Sequence, residues 1–510
     1  MNSEARKSPL SLRDAHHTIA LPLWLALFAS PGRWVLLSLG IHSVALDPWR
    51  TPPNWFLRTI ALTNETVRTS TPPQDAPPAP PAYFLSLTVE NFRCFGPAQT
   101  LDLSRGENRP APWTIILGEN GVGKTTLLQC LAALQPQFTR GKKGASGWYE
   151  PIFANLTALG LFASHNERLK KGTFAVRCNV CTSSGLRVAE PDAAIPLLVE
   201  GDKHYVISYA IPKNVGGLIC YGYGASRRMG KVSLSEQRTD DTTASLFSDD
   251  VDLINAEEWL LQADYAASKA PKSNTRAAKR RDQVIEILKA LLPDVDDVRF
   301  SASEEEISAP VVEFHTPYGW VRLKDLSLGY RTLLTWMVDL ASRLFDRYPK
   351  SANPLAEPAV VLVDEIDLHL HPRWQRTLLR FLSERFPNTQ FIATAHSPLV
   401  VQAAEDANIV LLRRDGDHVV IDNDVERIKN WRVDQILTSE LFGLESARPL
   451  QVSPALEERK RILSKARLTK ADEKRLAALE AQIGDLPTGE TPEDLQAMDI
   501  IRRAATLLKS

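Results

Sequence analysis

Residues 118–125 read Gly118-Glu119-Asn120-Gly121-Val122-Gly123-Lys124-Thr125, a match to the pattern G-x-x-x-x-G-K-[ST]. A run typical of a strand, residues 113–117, precedes this stretch, and a helical pattern, residues 126–134, follows it. A glycine-rich turn in that position lets backbone N–H groups surround a phosphate, and the positive end of the helix dipole points at the same charge. The stretch therefore predicts a phosphate-binding loop between a strand and a helix of an α/β fold.

The residue types of this loop predict ATP and Mg²⁺ as its ligands. We expect the residues from Gly118 to Thr126 to line the nucleotide, with Lys124 neutralising the β- and γ-phosphates. The hydroxyl of Thr125 is the group expected to ligate Mg²⁺. The alternative is a glycine-rich turn that matches by chance, and the strand before it and the helix after it disfavour that interpretation.

Two acidic residues follow a continuous apolar run in the second half of the chain. The run Ala359–Val363 is typical of a buried parallel strand, and Asp364 and Glu365 come directly after it. Asp364 stands where a P-loop enzyme holds Mg²⁺ through water, and Glu365 is placed to deprotonate the attacking water. The alternative, an ordinary acidic strand end, accounts more readily for one carboxylate than for two.

A histidine follows the next predicted buried strand, residues 389–395. Ligands of open α/β sheets gather at the carboxyl ends of the strands, so we expect His396 to face the γ-phosphate and to sense it. The predicted catalytic residues are therefore Lys124, Glu365 and His396.

Composition limits the class of protein and its compartment. Hydrophobic residues make up 44% of the 510 residues, enough for one large α/β domain with appended modules. The formal net charge of −1 excludes a uniformly basic protein that coats nucleic acid, although it allows a local basic patch. Cys178 and Cys181 are the one close cysteine pair and lack two further ligands with clean spacing, which favours ordinary thiols in a reducing cytoplasm over a zinc site. We therefore expect a cytoplasmic protein.

The composition changes near residue 83 and divides the chain. Residues 1–82 contain apolar runs too short to span a bilayer and end in a Pro-rich tract, residues 71–81, so we expect no membrane insertion. Two explanations of this extension stay open: a loosely attached, poorly structured segment, or a start codon assigned too far upstream. Residues 83–445 are predicted to form the main domain, with an insertion at about 147–315, and residues 446–510 a helical tail.

Hydrophobic periodicity predicts further elements. The expected strands are residues 84–90, 101–103, 173–181, 205–210, 217–224, 409–413 and 419–423, and the expected helices are residues 255–267, 276–292, 332–345, 456–466, 469–483 and a last one from Thr491. A basic cluster lies between the first two of these helices and comprises Lys269, Lys272, Arg276, Lys279, Arg280 and Arg281. It could contact nucleic-acid phosphates or form a solvated helix face. The tail, likewise, could be a self-contained hairpin or a docking surface for a partner.

Several motifs together resemble the ABC-type ATPases. Residues 326–331, Leu-Ser-Leu-Gly-Tyr-Arg, resemble the L-S-x-G-x-[RQ] signature, and residues 366–372 resemble the D-loop. His396 resembles the switch histidine, and residues 91–93, Asn-Phe-Arg, resemble the start shared by SMC, RecF and OLD-type ATPases. The resemblance covers residues 83–445 and implies an ABC-type P-loop NTPase head of the α/β class: a mixed sheet with flanking helices, a short α+β insertion and a helical C-terminal tail.

The resemblance also implies how two copies would work together. In ABC-type ATPases the signature of one head caps the γ-phosphate held by the other, so Ser327 and Gly329 would bind ATP in trans and a head-to-tail homodimer or higher oligomer is expected. One part is missing, because residues 217–228 hold no Q-loop glutamine and Gln237 comes later, in a predicted loop. That absence puts metal positioning and turnover rate in doubt.

Residues 432–448 resemble a segment of compact ATPases from anti-phage systems of the Septu and retron type. This resemblance implies a sensor or regulatory ATPase that controls a separate HNH-type nuclease, with DNA or a retron reverse transcriptase and its RNA–DNA as further candidate partners. Two alternatives stay open: a RecF-like DNA-repair ATPase, and an ATP-dependent binding scaffold with very slow hydrolysis.

Overall fold

The computed structural model describes residues 25–28, 34–37, 44–45, 79–139, 148–159, 173–186, 193–201, 206–230, 241–269, 276–292, 294–302, 310–425, 431–444, 453–463, 465 and 469–483. The chain divides into two compact units, Met1–Thr71 and Pro72–Ser510. In the first unit, β1 (Leu25–Phe28), β2 (Trp34–Leu37) and β3 (Val44–Ala45) form an antiparallel sheet in that order. The predicted nature of residues 1–82 falls mostly outside the described residues and stays a prediction.

The second unit alternates strands and helices along the chain. Its strands are β4 (Ala82–Glu90), β5 (Gln99–Asp102), β6 (Trp113–Gly118), β7 (Pro136–Thr139), β8 (Trp148–Pro151), β9 (Phe174–Thr182), β10 (Ile195–Gly201), β11 (Val206–Ala210), β12 (Cys220–Tyr223), β13 (Asp297–Ala302), β14 (Pro310–Thr316), β15 (Gly319–Arg322), β16 (Ala359–Val363), β17 (Thr389–Thr394), β18 (Asn408–Asp415) and β19 (His418–Asp422). Its helices are α1 (Lys124–Ala133), α2 (Phe153–Ala158), α3 (Ala256–Lys269), α4 (Arg276–Leu291), α5 (Leu328–Arg347), α6 (Pro372–Gln375), α7 (Leu378–Arg385), α8 (Pro398–Ala403), α9 (Val433–Leu437), α10 (Ser453–Leu463) and α11 (Lys470–Ile483).

A six-stranded sheet in the order β12-β16-β17-β6-β18-β19 lies at the centre of the second unit. Its neighbouring strands are parallel except for the antiparallel edge pair β18–β19. This mixed sheet with flanking helices confirms the predicted fold class. Because β16, β17 and β6 are neighbours and run the same way, the segments that follow their carboxyl ends meet at one edge of the sheet.

Alternate residues along the central strands enter two different cores, as the two-residue period of a strand requires. Ile116 of β6 and Leu362 of β16 pack with α1 and the strand β4. Ile115 of β6 and Val361 of β16 pack instead with the helices α3, α4 and α5. Both faces of the sheet are therefore buried, which explains why its strands read as continuous apolar runs.

A second, antiparallel sheet has the order β11-β10-β9-β4-β5 and covers the α1 side of the central sheet. Its strands β4, β5, β9 and β11 were predicted within a few residues of their observed ends, β4 from its alternating polarity. Residues 101–103 were also expected to be the hairpin partner of residues 84–90, and the antiparallel pairing of β4 with β5 confirms this. The pairing of β4 with β9 was not predicted, because a long connection through α1 and into the insertion joins these two strands.

The basic cluster near α4 contributes to packing within the chain. Arg276 Nη1 and Arg280 Nη2 both donate to the carbonyl oxygen of Pro349, each at 3.1 Å, just beyond the end of α5. Arg281 forms ion pairs with Asp264 and Asp282. These contacts favour the structural interpretation of the cluster over the nucleic-acid one, since three of its cations already have intramolecular acceptors.

The described part of the tail is a helical hairpin of α10 and α11. Thr469 caps α11 as predicted: the Asp472 backbone N–H donates to the Thr469 hydroxyl at 3.2 Å, and that hydroxyl donates to the Asp472 carboxylate at 2.7 Å. A small apolar cluster holds the two helices together and comprises Ala455, Ile462, Leu476 and Leu479. The helix predicted from Thr491 lies outside the described residues. No helix in the described part of the chain combines the length and the apolar character that crossing a bilayer requires.

Candidate functional site

The phosphate loop joins β6 to α1 and adopts backbone conformations that only glycine takes easily. Gly118 has φ 143° and Gly123 has φ 92°. A Cβ at Gly123 would also lie 2.5 Å from the Cys94 sulfur, so sterics as well as backbone conformation require glycine there. Glu119 and Asn120 are exposed, which leaves this part of the loop open to solvent.

Lys124 is folded into the loop that precedes it. Its ammonium donates to the carbonyl oxygens of Gly118 and Glu119, both at 2.8 Å, and the residue is buried. Burial lowers the pKa of the Lys124 ammonium, while the nearby Asp364 and Glu365 act to raise it. The cation is therefore held at the mouth of the loop, where an anion could replace these two carbonyl acceptors.

Asp364 links the phosphate loop to the neighbouring strand β17. Thr125 Oγ1 donates to one carboxylate oxygen of Asp364 at 2.7 Å, and Thr394 Oγ1 donates to the other at 2.6 Å. The Thr125 hydroxyl and the Asp364 carboxylate are oxygen donors, the kind that Mg²⁺ prefers, so this pair fits the predicted metal site. Thr394 was not predicted as a site residue. It is the last residue of β17, and a hydroxyl at the end of a buried strand is the sequence feature that could have indicated it.

Glu365 has an unusual backbone conformation for a residue that is not glycine. Its φ is 48°, in the left-handed region, and its N–H donates to Thr394 Oγ1 at 2.7 Å. The residue is half-buried at the carboxyl end of β16. Thr394 therefore holds both members of the acid pair, Asp364 through its side chain and Glu365 through its backbone.

Arg227 occupies the region in which a Q-loop glutamine was sought. Its guanidinium donates to the backbone carbonyl oxygens of Asp364 at 2.6 Å and of Glu365 at 2.8 Å. Arg227 is only 3% exposed; burial lowers its pKa to about 10, and Asp364, Glu365 and Asp367 oppose that shift. The sequence gives no sign of this role for Arg227, because the contact joins segments far apart in the chain. Gln237 lies outside the described residues.

His396 lies at the carboxyl end of β17, at the edge of the sheet that carries the phosphate loop and the acid pair. Its backbone N–H donates to the Asp367 carboxylate at 3.1 and 3.3 Å, and the residue is exposed. Asp367 was not predicted as a site residue, yet it joins the D-loop segment to the predicted switch histidine. The sensing role of His396 stays a prediction.

The signature begins α5, earlier than the predicted helix start at residue 332. Ser327 caps the helix, since its hydroxyl accepts from the Tyr330 N–H at 3.4 Å. Gly329 lies against the carbonyl oxygen of His369 so closely that a Cβ would collide with it. Ser327 is exposed, and so is Leu328, at 54%. The signature and the D-loop segment therefore form one contiguous, solvent-facing surface.

The side chains of Thr126, in the predicted nucleotide site, and of His371, in the D-loop segment, form hydrogen bonds within the chain. Thr126, predicted to line the nucleotide, is buried, and its hydroxyl accepts from Arg93 Nη1 at 3.0 Å. The Asn-Phe-Arg start thus reaches α1 directly after the phosphate loop. His371 caps α6 by accepting from the Arg373 N–H at 3.3 Å. In the described ranges no group of three or more His, Cys, Asp or Glu side chains could hold a metal ion.

Two family models match the chain. The one described as "AAA domain, putative AbiEii toxin, Type IV TA system" matches residues 231–402, which include the signature and the acid pair. The one described as "AAA domain" matches residues 86–177, which include the phosphate loop.

Curated relatives and solved structures are also similar to the chain. Septu protein PtuA from Bacillus mycoides (strain KBAB4) is 26% identical over 352 residues, which are 68% of this chain and 43% of that protein. The retron Vc95 probable ATPase from Vibrio cholerae serotype O1 biovar El Tor is 37% identical over 134 residues, 26% of this chain and 25% of that protein. The matches thus span less than half the length of either relative. A crystal structure of an Smc head bound to the C-winged helix domain of ScpA is 15% identical, with a TM-score of 0.36 over 66% of this chain and 96% of that one. The chain is thus similar to Septu protein PtuA and to the retron Vc95 probable ATPase, and two of its segments match models of AAA domains.

Proposed function

We propose that the chain binds ATP with Mg²⁺ and hydrolyses it to ADP and phosphate. The observation that carries this proposal is the direct hydrogen bond, 2.7 Å long, between Thr125 of the phosphate loop and Asp364 of the acid pair. It unites two motifs that lie far apart in the sequence and supplies the paired oxygen donors that Mg²⁺·ATP requires.

Each site residue then has a separate task. Lys124 exchanges its two carbonyl acceptors for phosphate oxygens, and the exposed loop backbone donates to the same phosphates. Thr125 and Asp364 would hold Mg²⁺, and the metal would offset the charge of the phosphates. Glu365 accepts the proton of the attacking water, and His396, at the end of the adjacent strand, contacts the γ-phosphate.

Phosphate release tests this activity. We expect Lys124→Ala and Glu365→Gln each to lower turnover about 100-fold or more, since each removes a group that stabilises the transferring phosphoryl group or its nucleophile. Lys289→Ala is the matched control, because that lysine lies on α4 and pairs with exposed Asp297. Wild-type protein that releases no phosphate, or a Lys124→Ala variant as active as wild type, would refute the proposal.

We further propose that two copies dock head-to-tail, so that Ser327 and Gly329 of one copy close over the ATP of the other. The exposure of Ser327 and Leu328 supports this arrangement, as does the position of Ser327 as the N-terminal cap of α5. A helix N-terminus favours an anion through its free N–H groups and its dipole. ATP would therefore join the copies and hydrolysis would release them, and a higher oligomer could be built from such dimers.

We propose that this switch acts in the cytoplasm as the regulatory ATPase of an anti-phage system and controls a separate HNH-type nuclease. The similarity to a Septu protein and to a retron ATPase supports this role. DNA, or a retron reverse transcriptase with its RNA–DNA, is the further partner that such a system would supply. Co-purification of the chain with the product of an adjacent nuclease gene tests the idea. DNA-stimulated hydrolysis with no nuclease bound would instead favour the RecF-like alternative.

The scaffold alternative keeps one specific observation in its favour. Residues 217–228 contain no glutamine, and Arg227 points its donors at backbone carbonyls. Slow turnover would follow if no other group positions the metal. Wild-type protein that binds ATP tightly but turns over no faster than Glu365→Gln would favour this scaffold.

A further inference from the structure

We infer that Arg227 is the positioning residue of the acid pair, and that it keeps Glu365 in the conformation from which that side chain can act as a base. The inference rests on the proposed ATP hydrolysis and adds to it a residue outside the sequence motifs. The guanidinium of Arg227 donates hydrogen bonds to the backbone carbonyl oxygens of the acid pair.

The two hydrogen bonds of Arg227 hold consecutive carbonyl groups. One guanidinium nitrogen bonds the carbonyl of Asp364 at 2.6 Å and the other bonds that of Glu365 at 2.8 Å. A planar guanidinium spans both acceptors at a fixed separation, whereas an ammonium acts as a single point charge. The pair of bonds therefore fixes the orientation of the peptide unit between the two acids and of the one after it.

That peptide geometry is strained and needs a restraint. Glu365 has φ 48°, and a left-handed conformation costs a residue that is not glycine about 1–2 kcal/mol. Strain of this kind persists where surrounding contacts over-determine it. Arg227 on one side and Thr394 on the other, through the Glu365 N–H, are the contacts that do so here.

The segment that carries Arg227 is itself anchored. The carbonyl of Arg228 accepts from the Leu253 N–H at 2.8 Å, and the Gly230 N–H donates to the Leu253 carbonyl at 3.0 Å. At the other end of the segment a Cβ on Gly224 would collide with the Ser245 carbonyl. The guanidinium is thus aimed from a fixed backbone, which suits a residue that must hold another one in place.

Charge supplies a second reason for an arginine at this position. Asp364, Glu365 and Asp367 all interact favourably with the Arg227 guanidinium, which lies buried behind them. A buried cation near three carboxylates lowers the cost of bringing them together. Its Nε is buried without a hydrogen-bond partner among the described residues, so the two bonds to the acid pair and the nearby carboxylates offset the cost of burying this cation.

Turnover and ATP affinity, measured on the full-length chain, test the inference. We expect Arg227→Ala to lower kcat about 100-fold, the effect of displacing a reacting group by roughly 1 Å, with the ATP dissociation constant changed less than threefold. Arg227→Lys keeps a positive charge but loses the two-pronged guanidinium, so its kcat should lie between those of wild type and Arg227→Ala. The matched control is Arg228→Ala, whose side chain is 52% exposed and pairs with Asp252 at 3.3 Å, and which should turn over as wild type does.

A double variant separates positioning of Glu365 from a general loss of structure. If Arg227 acts through Glu365, then adding Arg227→Ala to Glu365→Gln should lower the residual turnover less than twofold, because the base is already absent. A 100-fold further loss in that background, or weakened ATP binding in Arg227→Lys, would overturn the inference. An active wild type with an equally active Arg227→Ala would overturn it while leaving the proposed ATPase intact, whereas an inactive wild type would count against the proposed function.

Discussion

At the scale of single residues, the candidate site depends on groups that restrain one another. Thr394 holds Asp364 by its side chain and Glu365 by its backbone, while Arg227 holds the carbonyl groups of the same two residues. The acid pair is therefore fixed from two sides before any nucleotide binds. Preorganisation of this kind reduces the rearrangement that the reaction itself would need.

Two glycines of the phosphate loop give a matched comparison at this scale. Gly121 has φ 79° with open space around its Cα, whereas Gly123 has φ 92° and the Cys94 sulfur and Phe95 ring against it. We expect Gly121→Ala to cost about 1–2 kcal/mol of unfolding free energy from backbone strain alone. Gly123→Ala should cost more unfolding free energy than Gly121→Ala. It should also weaken ATP binding, because the added Cβ would push the phosphate loop away from Cys94 and Phe95, in the turn that follows β4.

Denaturant unfolding together with ATP titration of both variants measures this difference. Adding Cys94→Ala to Gly123→Ala should recover part of the loss, since it removes the nearest obstacle but not the strain in φ. Equal effects of Gly121→Ala and Gly123→Ala would show that contact with Cys94 plays no part.

The structure brings together residues that local motifs single out, whereas the residues that support them carry no such motif. Lys124, Thr125, Asp364 and Glu365 belong to motifs that can be read locally. Arg227 and Thr394 have no such signature, because their contacts join segments that are far apart in the chain and meet only in the folded sheet. Thr126 shows the reverse: it belongs to the loop by sequence, yet its hydroxyl bonds Arg93.

At the scale of elements, the order of β16, β17 and β6 brings together the three segments that follow these strands: the acid pair, His396 and the phosphate loop. Periodicity predicted each of these strands, since both of their faces are buried and their sequences are continuously apolar. It could not predict the pairing of β4 with β9, which is non-local. Nor did it predict that α5 begins at Leu328, because the polar residues of the signature interrupt the apolar pattern while forming a capped first turn.

The contact between α5 and the D-loop segment yields a prediction of its own. Gly329→Ala introduces a Cβ into the space held by the His369 carbonyl, so we expect α5 and this segment to move apart. Overpacking of that sort costs about 1–3 kcal/mol of unfolding free energy, to be measured without nucleotide. Leu328→Ala is the control and should leave stability within about 0.5 kcal/mol, since Leu328 is 54% exposed. A Gly329→Ala variant as stable as that control would contradict the close packing.

At the scale of the whole molecule, one chain offers two surfaces that would complete each other. The phosphate loop, with Lys124 and Thr125, is open to solvent over Glu119 and Asn120, and the signature presents Ser327 beside the D-loop. On the proposed arrangement each copy supplies half of two sites. The bound nucleotide would thereby determine whether the two copies are joined, and a separate effector protein can sense that difference.

The mass of the Glu365→Gln variant in solution tests this central claim most directly. With ATP and Mg²⁺ the variant should bind without hydrolysing and remain closed, so light scattering should report a mass twice that of the 56.7 kDa chain, or a multiple of that dimer. With ADP, or after adding Lys124→Ala, the assembly should come apart. The same mass with ATP as with ADP would contradict the account.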